Sequence, residues 1–141
     1  MTGSFDTNAI LRLLLGDIPE QQEQVLQLLD SATAPFAVAD LVFAEAAFVM
    51  SRAYGMNRSD ISQALRGLLD LPEITADKQL LHAAFKVFVD RPALSFEDSY
   101  LAAFAETTSA TPLYTFDRKL ANQVSGARLI ASAPETQTDQ S

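Results

Sequence analysis

Five acidic side chains stand where an acid has to be explained. Asp6 falls in SFDTN at residues 4–8, Glu45 in VFAEAAFV, Glu97 and Asp98 in SFEDSYLAA, and Asp117 in LYTFDRKLA. Carboxylates gathered in one place repel one another and persist together only when protons or cations neutralise them. Hard oxygen donors select magnesium or manganese, ions that keep part of their water and combine a few carboxylates with substrate phosphate. Such an ion acidifies its bound water and offsets the charge growing on a leaving oxygen. The chemistry that this set would serve is metal-assisted hydrolysis of a phosphodiester.

For those acids to meet, the chain has to bring them to one edge. Thr7 and Asn8 are expected to cap a helix running to Leu15, with Gly16 ending it. Asp17 would cap a second helix with Pro19 in its first turn and Val25, Leu26, Leu28 and Leu29 facing inward. PFAVA at 35–39 reads as a strand. Asp40 would then cap a helix ending near Gly55, its apolar face marked by Leu41, Ala44, Phe48 and Met50. Asn57 or Ser59 opens a helix to about Leu69, PEIT at 72–75 is a weak strand, and Asp77 begins a helix through Val89. Ser95 starts the helix FEDSYLAAFAETT, and Pro112 precedes LYTF, which reads as a buried strand. A short helix follows Asp117, and ARLIA at 127–131 is the last strand. Residues 1–131 thus form one domain, and the tail at 132–141, SAPETQTDQS, has little to bury and is expected to be disordered.

Short apolar strands alternating with helices predict an α/β fold, a short and mostly parallel sheet flanked by helices, each helix a right-handed crossover. The carboxyl ends of parallel strands share one edge, where ligands bind in open sheets. Asp6, Asp40 and Asp117 fall at strand ends; Glu45, Glu97 and Asp98 fall in the opening turns of helices. Asp40 is more simply a helix cap than a ligand. Asp6, Asp98 and Asp117 have capping readings too, the last of them with Thr115 as an ordinary strand residue. AEAAFV surrounds Glu45 with small and apolar residues, where a buried Glu needs a cation or a partner.

Composition narrows the field. With 141 residues and 48% hydrophobic content the chain suits one domain with a real core. It has no cysteine, which removes disulfides, thiolate zinc sites and cysteine nucleophiles and fits a reducing cytosol. A formal charge of −8 repels polyanions and argues against a general nucleic-acid binder. Basic residues cluster locally, as Arg52, Arg58 and Arg66 and as Arg118, Lys119 and Arg128, and such clusters could line an acidic pocket. The lone His82 reads as a partly buried helix residue. MTGSFD lacks a basic region followed by an apolar stretch, and no apolar run is long enough to span a membrane, so a soluble cytoplasmic protein is expected.

FDTNAILRLLLGD, Glu45 in VFAEAAFV, EDSYLAA and TFDRKLA resemble, in that order, the acidic motifs of PIN-domain ribonucleases, and in particular of the VapC toxins of toxin–antitoxin operons. The resemblance runs from residue 4 to about 130. It implies that Asp6, Glu45, Asp98 and Asp117 hold one or two Mg2+ (or Mn2+) ions and that Thr7, Asn8 and Thr115 steady those carboxylates. It also implies a homodimer, a structured RNA substrate (tRNA or rRNA), and a cognate VapB-like antitoxin. Arg118 and Lys119 follow one of the acids and could touch phosphate. Two features depart from the pattern. MTGSF offers only Met1 and Phe5 where the family has a run of Val, Ile and Leu, so a short first strand is expected. Glu97 beside Asp98 leaves the third ligand ambiguous, with Asp98 matching the family's acid and its later Ala.

Two other functions compete. One is a catalytically inactive PIN-like binding module acting through its dimer or partner, for which retention of mutually repelling acids is unexplained. The other is a phosphatase with Asp6 as nucleophile, but the position two residues on is Asn8, which cannot donate an acid's proton. Dinucleotide binding is excluded, because the five glycines are scattered and form no phosphate-binding loop.

Overall fold

The computed structural model describes residues 1–130; the tail expected to be disordered lies outside the described residues. Its elements, in order, are β1 (Gly3–Ser4), α1 (Thr7–Leu15), α2 (Pro19–Ser31), β2 (Phe36–Ala37), α3 (Asp40–Arg52) and α4 (Arg58–Leu69). They continue with β3 (Ile74–Thr75), α5 (Lys78–Asp90), α6 (Phe96–Thr107), β4 (Leu113–Thr115), α7 (Arg118–Gln123) and β5 (Ala127–Leu129). The α/β architecture is as expected, and every strand pair is parallel: β1 with β2, β2 with β3, and β4 with β5. The strands fall into two ladders, β1-β2-β3 and β4-β5. A central parallel strand buries both faces, and Gly3 and Ser4 are exposed and bring no apolar side chain to do so. No described helix is long and apolar enough to cross a membrane.

The core lies among α1, α3, α4, α5 and α6, centred on fully buried Ile10, Phe43, Met50, Ile61, Leu65, Ile74, Leu81 and Phe85. Phe85 is its aromatic hub, 4.6 Å from Phe96 and 6.4 and 6.3 Å from Phe43 and Phe88 between ring centroids. Arg58, at the start of α4, donates to the Phe88 carbonyl at 2.7 Å and to the Leu94 carbonyl, and its guanidinium lies 4.1 Å above the Phe88 ring. It thereby satisfies one carbonyl left open in the last turn of α5 and one in the loop between α5 and α6. This is the fate of one of the three clustered arginines. Arg52 lies over Phe48, and Arg66 Nε donates to His82 Nδ1 at 3.2 Å. Arginine only donates, so His82 accepts there and presents Nε2–H to Asp70 Oδ1 at 2.9 Å.

Several expected details are corrected. The cap of α1 is Asp6, one residue before Thr7, while Gly16 ends that helix in the left-handed region as foreseen. Asp17 caps nothing: the residue before α2 is Ile18, and Asp17 instead pairs with Arg12 at 3.1 Å and accepts from the Tyr54 hydroxyl. Of the four apolar residues expected to face inward on α2, Val25 and Leu29 are buried and Leu26 and Leu28 are exposed. On α3 the buried stripe is Val42, Phe43, Ala46, Ala47 and Met50, whereas Leu41 and Phe48 are 67% and 57% exposed. That helix is apolar on nearly every face, so periodicity could not choose among stripes. The alanines let it sit close to its neighbours. LYTF forms β4, but it is not a buried strand: Tyr114 faces solvent and Phe116 is 78% exposed.

Candidate functional site

Three of the four acid-bearing stretches, those of Asp6, Asp98 and Asp117, contain a helix start, whereas Glu45 lies within α3, and local chemistry explains why. Asp6 has the extended backbone of an N-cap and accepts from the Ala9 amide at 2.9 Å through Oδ1. Asp117 does the same for α7, its Oδ1 accepting from the amides of Lys119 and Leu120 at 2.9 and 3.4 Å. Thr115 Oγ1 accepts from the Asp117 amide at 2.9 Å and so fixes the turn that presents this carboxylate. In α6 the cap is Ser95, whose hydroxyl accepts from the Asp98 amide at 3.1 Å. Asp6 and Asp117 therefore act as caps through one oxygen, which leaves Oδ2 of each available for a ligand.

The structure brings together the first two motifs. Thr7 Oγ1 donates to Glu45 Oε1 at 2.6 Å, a bond from α1 to α3 across 38 residues of chain. Glu45 is exposed, which overturns the expectation of a buried glutamate driven to seek a counter-charge. Asn8 stands exposed in the first turn of α1, and Arg118 and Lys119 are exposed in the first turn of α7. On α6, Asp98 is half-buried and Glu97 is exposed. Glu97 shares a cavity of about 340 Å³ with Leu41, Glu45 and Phe48, and an adjoining one of about 390 Å³ with Asp40, Leu41, Tyr100 and Leu101.

These donors fit a hard divalent cation by type. By distance they are not gathered: among the described residues no group of three or more His, Asp or Glu side chains lies close enough to hold one metal ion. Asp6 follows β1 and Asp117 follows β4, and those strands belong to separate ladders.

Asp40 is the largest departure from the sequence reading. It is the first residue of α3, not its cap, which is Ala39 and makes no side-chain cap bond. Its Oδ2 accepts instead from the Tyr100 hydroxyl on α6 at 2.5 Å. Nothing local signals a pairing between residues so far apart. Partial burial, and then the Asp40 carboxylate, push the Tyr100 phenol up to about 12 from its ordinary value. A tyrosine bound more tightly to its proton when folded stabilises the fold below the unfolded pKa of about 10, and that contribution is lost as pH rises through the folded value. Titration of phenolate absorbance is thus expected to show a late step near 12 that Tyr100→Phe lacks.

The PIN domain family model matches residues 5–124, a span that includes Asp6, Glu45, Asp98 and Asp117. No curated protein matches the chain closely enough to count as a relative.

Proposed function

Because the chain belongs to the PIN-domain family, whose members are generally nucleases, we propose that it is a magnesium- or manganese-dependent endoribonuclease, the toxin of a toxin–antitoxin pair, cutting structured RNA such as tRNA or rRNA. The observation that carries this reading is the placement of Asp6, Asp98 and Asp117 at the openings of three helices, with the Thr7–Glu45 bond of 2.6 Å drawing a fourth acid to the first. Asp6, Glu45, Asp98 and Asp117 would hold the ion, which when bound supplies an acidified water and neutralises charge at the leaving oxygen. Thr7 orients Glu45, and Thr115 fixes the backbone beneath Asp117. Arg118 and Lys119, exposed beside Asp117, offer cationic contacts to the phosphates flanking the cut. Four like charges repel, so this set closes only around a cation.

A homodimer and a VapB-like antitoxin belong to the same reading. Its support is the apolar surface on α3 and α6, where Leu41 and Phe48 are exposed beside Glu45 and Glu97, Leu101 is exposed beside Glu97, and Phe104 is exposed farther along α6. A partner helix with a basic side chain would cover the first and answer the second.

The second reading, an inactive PIN-like module acting through its dimer or partner, is favoured by the separation of the acids, no three of which meet among the described residues. Incubation of the purified protein with total RNA, with and without Mg2+, decides between the two. Cleavage that requires the ion, leaves 5′-phosphate and 3′-hydroxyl ends and disappears in Asp98→Asn supports the nuclease. RNA that stays intact, with wild-type and variant indistinguishable, supports the module.

A further inference from the structure

The ladder of β4 and β5 turns a bare face to solvent. Along a strand alternate residues share a side, and the two strands pair in register with Tyr114 opposite Arg128. On one side Leu113, Thr115, Ala127 and Leu129 are half-buried. On the other, Tyr114 is 59% exposed beside an exposed Arg128, and the open face continues into Phe116, 78% exposed, and Ile130 just past the strands. The pairing reaches that far, since the Ile130 amide donates to the Thr115 carbonyl at 2.7 Å. Two aromatic rings thus stand in the open roughly 6.6 Å apart along the chain, two strand steps of about 3.3 Å.

The charge around the rings selects the occupant. Arg118 and Lys119 follow on α7, so residues 107–130 hold three cations and one acid, Asp117, in a chain of formal charge −8. Glu106, the acid before them, lies beside Gly126, at the opposite end of β5 from Ile130. The face therefore offers a polyanion the local attraction that the molecule as a whole withholds. An unpaired nucleic-acid strand matches both features, because its bases stack on aromatic rings and its phosphates meet arginine and lysine. A duplex keeps its base faces stacked inside and offers the rings nothing. A second copy fits less well, because a two-fold contact would set these cations against themselves.

We infer that Tyr114 and Phe116, with Arg128, form a platform for unpaired RNA bases, directly before Asp117 in the chain. The choice of RNA rests on the nuclease reading. The test is made in EDTA, where cleavage does not interfere. Anisotropy of a fluorescein-labelled, unstructured CA-repeat RNA of about 12 nucleotides, a length within the range of single-strand sites, is compared with the same RNA annealed to its complement. Wild type is expected to bind the single strand at least about tenfold more tightly than the duplex. Tyr114→Leu and Phe116→Leu keep apolar bulk without the flat ring; each is expected to weaken single-strand binding by about fivefold or more, and Tyr114→Phe to stay within about twofold. Arg128→Gln is expected to reduce the slope of log affinity against log salt by about 0.7, the share of one phosphate on a single strand.

Unchanged single-strand affinity in the double variant Tyr114→Leu/Phe116→Leu, or equal affinity for the duplex, would overturn the inference. So would a wild-type dimer in sedimentation that the double variant dissociates while RNA binding persists, which makes the face a contact between copies. Should the Leu variants not fold, ultraviolet cross-linking of the wild type to the same RNA decides: adducts on Tyr114 or Phe116 sustain the inference, and adducts only elsewhere overturn it. Wild type that binds the strand through this face but cleaves no RNA with Mg2+ sinks the nuclease reading alone. Wild type that cleaves RNA, with Leu variants that bind and cleave as it does, sinks the inference alone.

Discussion

Asp6→Asn is expected to lower metal-dependent RNA cleavage by more than about 100-fold while leaving the fold in place. The two halves of that result have different causes. Asn is as good an N-cap as Asp, so the bond to the Ala9 amide, 2.9 Å in the native protein, is retained. Loss of the negative charge at the start of α1 costs roughly 0.3–1 kcal/mol through the helix dipole. Activity fails because an amide oxygen is a much poorer ligand for a hard cation than a carboxylate, and even groups that only support a ligand are worth about 10–100-fold. Asp6→Ala separates the roles further: it removes the cap as well, adding about 1 kcal/mol of instability to the same loss of activity. Asp117, which caps α7 by the same device, is expected to follow the same pattern. Urea titration and steady-state cleavage on the same preparations provide the check. Full activity in Asp6→Asn would mean that Asp6 is a cap and nothing more.

The largest effect on stability is expected from Phe85→Ala. Phe85 is fully buried and meets Phe43, Phe88 and Phe96, so it joins α3, α5 and the start of α6. Truncating a buried Phe costs about 3–5 kcal/mol, because the cavity closes only in part. Total stability of a domain is roughly 5–15 kcal/mol, so the variant is expected to unfold at far lower urea and to be folded only marginally at 37 °C. Phe48→Ala is the control from the same residue type. That ring is 57% exposed, and its loss is expected to cost less than about 1 kcal/mol. Equal losses at the two positions would show that the aromatic cluster is not the core's centre.

Much of this arrangement was legible in the sequence because it is decided locally. Gly16 ends α1, Asn57 opens α4, Asp77 opens α5 and Ser95 opens α6, each where short-range backbone chemistry places it. Residue patterns also foretold strands near 35–39, 72–75, 113–116 and 127–131, which are realised as β2 to β5, two or three residues long. The sequence misled where local signals were ambiguous. On α3 almost every position is apolar, so the stripe chosen for burial depends on which neighbours arrive, and Leu41 and Phe48 were left outside. Asp40 looked like a cap because acids often are, but a tyrosine from α6 took its side chain and Ala39 took the cap position.

By itself, the sequence determined that Asp6, Glu45, Asp98 and Asp117 open or stand in the early turns of helices, because caps and helix stops act over three or four residues. Only tertiary structure decided which of them meet. Thr7 reaches Glu45 across 38 residues and Tyr100 reaches Asp40 across 60, and neither contact has a local cause. Tertiary structure also decided that the strands form two ladders, with Asp6 after one and Asp117 after the other. Pairing between remote segments is settled by what each can bury, and Gly3 and Ser4 give β1 nothing to bury on a second neighbour.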